Sequence, residues 1–128
     1  MLPKKNRVNK ALFQVIMKKG RVVPGQFFTF RYLVGISPEV KPLYSQYSQR
    51  FNLWEESSIR LACVVPKSIV KKAIIRNQFR RKAYLAIDPC SIKRPGVGIL
   101  FYKKQGISAS PREIKEDIAN LLKRGGFI

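Results

Sequence analysis

Apolar positions near the start of the chain fall into two helical rows. Leu12, Val15 and Ile16 share one side, and Phe13 and Met17, four apart, form a second row turned by roughly 100° at 3.6 residues per turn. Asn9 suits the N-cap, Gly20 the stop, and Lys18 and Lys19 the negative end of this helix of about ten residues. Residues 26–34 (QFFTFRYLV) are rich in aromatic and β-branched types and predict a strand. Phe28, Phe30 and Tyr32 alternate onto one face, and Phe27, Thr29 and Arg31 onto the other. Ile59–Val65 predicts another strand, closed by Pro66. Ile75, Phe79, Ala83 and Ala86 then keep helical spacing across 69–87, and Asp88-Pro89 ends that helix. Val97–Tyr102 is a short apolar run fit for a buried strand. Ser110-Pro111-Arg112-Glu113 forms a capping box with proline at the first helical position, ahead of a stripe of Ile114, Ile118, Leu121 and Leu122 that stops at Gly125.

Residues 36–58 carry two prolines, several Ser and Gln, and scattered aromatics, which predicts an extended loop or hairpin. If that segment supplies a strand, the order is α-β-β-β-α-β-α. The strand, helix and strand between 59 and 102 suggest a βαβ unit within a mixed sheet. The expectation is an α+β fold, a single-domain α-β sandwich over residues 1–128, with no repeat or linker dividing it.

Charge changes this picture from a fold to a partner. Twenty-six Lys and Arg face seven Asp and Glu, for a formal net charge of +19. A compact chain with that self-repulsion calls for a polyanion, and nucleic acid is the usual one. Residues 1–35 and 57–87 each hold eight Lys or Arg and no carboxylate, so neither segment can neutralise itself. No apolar run has the roughly 18 residues of a membrane helix, and no signal-peptide pattern follows the basic start, so a cytoplasmic location is expected.

Composition also removes most catalytic chemistry. With no histidine, the commonest general base and metal ligand is missing. Cys63 and Cys90 make neither a disulfide scaffold nor a zinc site, and Cys63 reads as a buried strand residue. No phosphate-binding glycine loop occurs. Glu55-Glu56 and Glu116-Asp117 are the adjacent carboxylate pairs, and both read as solvated surface. Several converging carboxylates, as a two-metal nuclease needs, are not supplied. No catalytic residue and no protein metal site are therefore expected.

The informative segment is Val64–Lys82, whose basic residues recur along one side of a helix. Arginine can clamp a phosphate with two parallel hydrogen bonds, and Asn77 can meet a base edge or a 2′-hydroxyl. A merely solvated face would ordinarily mix signs. This run resembles the signature of bacterial ribonuclease P protein components: Lys67, Val70, Ala73, Arg76, Asn77, Phe79, Arg80 and Arg81 fit it at ungapped spacing. Arg7, Val8, Phe13, Val15 and Gly20 fit the family's opening helix. Ser68 and Gln78 depart from it where Lys and Arg are common, and Leu12 and Met17 where an acid and an aromatic are common. The resemblance spans most of the chain except 36–58.

That resemblance implies an α-β sandwich with a left-handed βαβ crossover, against the general rule. It implies that Lys67, Lys71, Lys72, Arg76, Asn77, Arg80 and Arg81 contact the catalytic RNA of ribonuclease P. It also implies that Phe13 and Met17 line a cleft for the 5′ leader of precursor tRNA, together with Phe28, Phe30 and Tyr32 or with the opposite strand face Phe27, Thr29 and Arg31. Stacking on unpaired bases would then account for the second apolar row of the first helix, at about 1–3 kcal/mol per base. The implied complex is a heterodimer of RNA and protein in which the RNA binds Mg²⁺ and performs the hydrolysis, with no cofactor on the protein alone. Five neutralised phosphates would give a salt slope of about −3.5 on single-stranded RNA. The rival reading is a ribosomal protein or general RNA chaperone, which would not distinguish precursor from mature tRNA.

Overall fold

The structure, a computed structural model, describes residues 8, 10–34, 59–87, 92 and 96–128. The 36–58 segment, the Asn9 cap, Cys90, Asp88-Pro89 and Glu55-Glu56 lie outside these residues. Helix α1 spans Lys10–Lys19, followed by strands β1 (Arg21–Pro24), β2 (Phe28–Val34) and β3 (Ile59–Val64). Helix α2 (Ala73–Ala86), strand β4 (Gly96–Tyr102), a 3-10 turn (Lys104–Ser108) and helix α3 (Pro111–Arg124) complete the described order. The α+β class and the order α-β-β-β-α-β-α hold. One of the described strands, β1, lies in a stretch that the sequence pattern did not single out. Val22-Val23 runs into Pro24-Gly25, a short edge strand that tolerates proline, and then a tight turn into β2.

The four strands lie in the order β1-β2-β4-β3. β4 is central, antiparallel to β2 and parallel to β3. Alternation splits the sheet into two faces. On one, Phe28, Phe30 and Tyr32 of β2 join Leu61, Cys63, Leu100 and Tyr102 in the main core under α2 and α3. On the other, Val97 and Ile99 form a smaller core with Ile16 of α1, flanked by Phe13, Val15, Leu33, Ala62, Val64 and Phe101. Gly98 sits where the rings are largest: a Cβ there would lie 2.4 Å from Phe30.

Handedness follows from one residue. Phe28 points its side chain toward the α2–α3 layer, while its carbonyl accepts from the Gly25 N–H on the β1 side. For an L-residue those two directions place β1 to the right of β2 when β2 runs upward and the helices face the viewer. β4 and β3 therefore lie to the left, both running downward. The passage from β3 through α2 to β4 is then left-handed, the exception to the usual crossover.

Helix α2 starts four residues later than the spacing predicts. Ile69 and Val70 both donate to the Pro66 carbonyl in a turn, and Lys72 is extended, so the regular ladder begins at Ala73. Lys71 and Lys72 beside the positive helix end, with no acid in the first turn, oppose an earlier start. Helix α3 shows the opposite economy. Ser110 accepts from the Glu113 N–H at 3.2 Å, and Glu113 accepts from the Ser110 N–H at 3.0 Å. The Ser110 bonds hold the Glu113 carboxyl below its ordinary range. Ser110→Ala is expected to cost about 1 kcal/mol in a denaturant titration.

The Glu116-Asp117 pair corrects the surface reading. Glu116 is exposed and pairs with Arg112 across one helical turn. Asp117 is buried and accepts the backbone N–H groups of Gln26, Phe27 and Phe28 at 3.0, 2.9 and 3.1 Å. It lies one turn from Ile114 and Leu121 on the core stripe of α3, and it satisfies the donors of the β1–β2 turn. Cys63 is buried as expected, and desolvation pushes its thiol up to about 12 from an ordinary 9.0. The folded state thus holds the thiol proton more tightly than the unfolded chain. The resulting stability is fully present below pH 9 and is lost as pH rises toward 12. Native Cys63 should resist a thiol reagent at pH 8 and react only on denaturation.

Candidate nucleic-acid interface

The edge strand β3 would present open backbone groups were it not covered by α2. The Cys63 N–H donates to the Tyr84 hydroxyl at 3.2 Å, and Tyr102 donates its hydroxyl to the Phe79 carbonyl at 2.8 Å. Burial of Tyr102 raises its hydroxyl pKa, so it stays a donor. These two bonds and the Ala83 contact fix the rotation of α2 about its axis. The opposite side is left to solvent: Lys71, Lys72, Asn77, Gln78, Arg81 and Lys82 are exposed, and Lys67 is exposed on the preceding turn.

The N-terminus of α2 adds to this field. No side chain caps it, and its first-turn N–H groups lie beside Lys71 and Lys72. An uncapped helix start flanked by ammonium groups suits an oxyanion such as a phosphate. Arg76 is half-buried and differently employed, donating to the Val70 carbonyl at 3.0 Å and the Lys71 carbonyl at 2.6 Å. It ties down the backbone that presents Lys71 and Lys72. Arg80 donates to the Asn77 side-chain oxygen. With Arg81 and Tyr84, these two residues line a cavity of about 200 Å³. Lys82 stands 5.2 Å from the centre of the Phe79 ring, close enough for a cation–π contact. Of the seven residues of this group, Arg76, Asn77, Arg80 and Arg81 lie on α2, Lys71 and Lys72 just before it, and Lys67 on the preceding turn.

The second group divides. Met17 is 38% exposed and Phe13 half-buried, both on α1. Phe28, Phe30 and Tyr32 are buried on the far face of the sheet, so they cannot line a cleft between α1 and the sheet. Phe30 and Tyr32 stack on each other at 5.2 Å, and both meet Phe127 edge-on. They are core because α3 lies over them. Phe27 is also in that core. The α1 side instead carries Thr29 and Arg31, with Phe101 of β4 and Val64 of β3 partly buried beside Phe13. Arg31 donates to the Met17 carbonyl at 3.1 Å, fixing the end of α1 to β2. Phe101 was not singled out by sequence; its strand is apolar on both faces, so alternation gave no sign of an accessible side.

A family model described as Ribonuclease P matches residues 2–126. The chain belongs to the Ribonuclease P family. Solved structures agree in fold. The Staphylococcus aureus RNase P protein matches with a TM-score of 0.68 at 18% identity, covering 95% of this chain and 96% of that one. An S. aureus RNase P protein mutant with defective mRNA degradation activity matches with a TM-score of 0.72 at 20% identity, covering 98% and 92%. The Thermotoga maritima RNase P protein matches with a TM-score of 0.69 at 18% identity, covering 92% and 96%. No curated protein sequence matches the chain. As a ribonuclease P protein, the chain is a subunit of a tRNA-processing holoenzyme that has an RNA partner.

Proposed function

We propose that this ribonuclease P protein docks on the catalytic RNA through the outer side of α2 and grips the 5′ leader of precursor tRNA beside α1. The observation that carries the reading is the cationic surface of α2 and the residues just before it, where Lys71, Lys72 and Arg81 are exposed and no carboxylate stands. Lys67, Arg80 and Asn77 extend it, and Arg76 orients it. For the leader, Phe13, Met17 and Phe101 offer partly exposed apolar surface for unpaired bases, with Arg31 and Thr29 close by.

In this reading the protein performs no bond chemistry. The RNA subunit binds Mg²⁺ and hydrolyses the phosphodiester at the mature tRNA 5′ end, in the cytoplasm. Among the described residues, no group of three His, Cys, Asp or Glu is placed to hold a metal ion, and no helix is long and apolar enough to cross a membrane. The protein screens RNA–RNA repulsion and adds leader contacts that mature tRNA lacks. It thereby favours substrate over product.

The deciding assay is cleavage of a precursor tRNA by a bacterial ribonuclease P RNA at low Mg²⁺, with and without the protein. Stimulation is expected, and it should disappear when the leader is cut to one nucleotide. Phe13→Ala should lower affinity for precursor while leaving mature tRNA binding near wild type. Equal losses for both would end the leader assignment.

A further inference from the structure

A second cationic feature lies away from α2. The end of α1, the start of β1 and the end of α3 surround a cavity of about 370 Å³ lined by Lys19, Arg21, Tyr32, Leu33, Arg124, Gly125 and Gly126. Three of these residues are cationic and none is acidic. Local geometry holds them in place. Gly20 donates to the Ile16 carbonyl at 2.8 Å, and a Cβ there would lie 2.4 Å from that oxygen, so only glycine allows the sharp turn between Lys19 and Arg21. Arg124 donates to the Pro24 carbonyl at 3.0 Å. Gly126 has φ 87°, which favours glycine, and leaves no side chain at the rim.

Helix ends explain part of this charge and not the rest. Lys19 and Arg124 complement the negative ends of α1 and α3, each worth about half an elementary charge. Arg21 is in a strand, exposed, and serves neither helix end. Arg21 is therefore a cation at this cavity that neither helix end accounts for. Strand order places the cavity on the β1 edge, whereas α2 covers the β3 edge. Those strands are three interstrand spacings apart, about 14 Å, so one phosphate cannot serve both.

We propose that this cavity binds a backbone phosphate of RNA, as a second anchor on the edge of the sheet opposite α2. Arg21 and Lys19 supply the charge, and Arg124, held by Pro24, supplies a fixed wall. The protein then bridges two RNA segments rather than capping one. The inference needs an RNA partner but not the docking of α2.

The test is the salt dependence of binding of the full chain to a bacterial ribonuclease P RNA and, separately, to a precursor tRNA. Lys19→Ala/Arg21→Ala is expected to make the log–log slope shallower by about 0.7–0.9 with at least one of the two RNAs, at an unchanged melting midpoint. The RNA that shows the change is the source of the phosphate. Arg21→Lys, which keeps the charge, should retain the wild-type slope. A wild-type slope for the double variant with both RNAs would overturn the inference. Lys71→Ala/Arg81→Ala on α2 is the reference: its loss beside an intact double variant removes the cavity site and leaves α2 docking standing. The reverse result keeps the cavity site and removes α2 docking.

Discussion

Asp117→Ala is expected to lower the stability of the fold by about 3–5 kcal/mol, and the melting midpoint by about 10–15 °C. The carboxylate accepts three backbone N–H groups, those of Phe27 and Phe28 through buried bonds, and alanine would leave all three without their acceptor. A cavity would open in the same place, since Gly25 is close enough that a Cβ on it would lie 2.9 Å from the carboxylate. Two further contacts hold this turn: the Lys103 N–H donates to the Phe27 carbonyl, and its ammonium group to the Gly25 carbonyl. They should keep the hairpin formed but loosened. Glu116→Ala is the natural control, because its exposed ion pair with Arg112 contributes at most about 0.5 kcal/mol. Chemical denaturation of the two variants checks both numbers, and comparable losses would show that the Asp117 clamp does not hold the turn.

Removing the exposed charges of α2 should act on binding and not on folding. Lys71→Ala/Lys72→Ala/Arg81→Ala is expected to weaken binding to ribonuclease P RNA by about 10²-fold near physiological salt and to make the salt slope shallower by about 2–2.7. None of the three side chains is buried, and Lys71 and Lys72 precede the regular helix, so the melting midpoint should stay within a few degrees. The loss should be uniform across RNA sequences because phosphates carry no base identity. Arg76→Ala should behave differently. Its guanidinium bonds the Val70 and Lys71 carbonyls, so the variant should lose stability as well as affinity. Filter binding across salt, paired with thermal melts, separates the two.

Helical periodicity and capping chemistry were the most legible features. The box at Ser110 and Glu113 and the stop at Gly125 are local signals, decided within one turn of chain. Strand faces were less legible, because β2 is apolar on both sides: Phe28, Phe30 and Tyr32 alternate with Phe27, Thr29 and Arg31. Which side α1 covers depends on packing between distant segments. The position of α2 was clear from its stripe, but its start was not, since the Pro66 turn competes with the first helical turn. Asp117 was misread for a similar reason. Its partners lie about 90 residues away in sequence, and no local pattern announces them. The family motif identified the cationic residues without distinguishing Arg76, which orients the surface, from Arg81, which is exposed on it.

The central position of β4 has a consequence for the order in which the protein can be made. Among the described strands β2 and β3 are not neighbours: β4, the last of them in sequence, lies between and pairs with both. Among the described residues, a nascent chain ending before Gly96 holds the β1–β2 hairpin and a β3 whose partner strand has yet to emerge. Neither half has, among the described residues, a three-stranded sheet to stabilise it. Pairing of this sheet must therefore wait until β4 has left the ribosome, and closing those distant pairings is intrinsically slow. During that wait the unfolded segments carry their excess positive charge unscreened by any tertiary structure. Their mutual repulsion disfavours aggregation while the last strand is still to come.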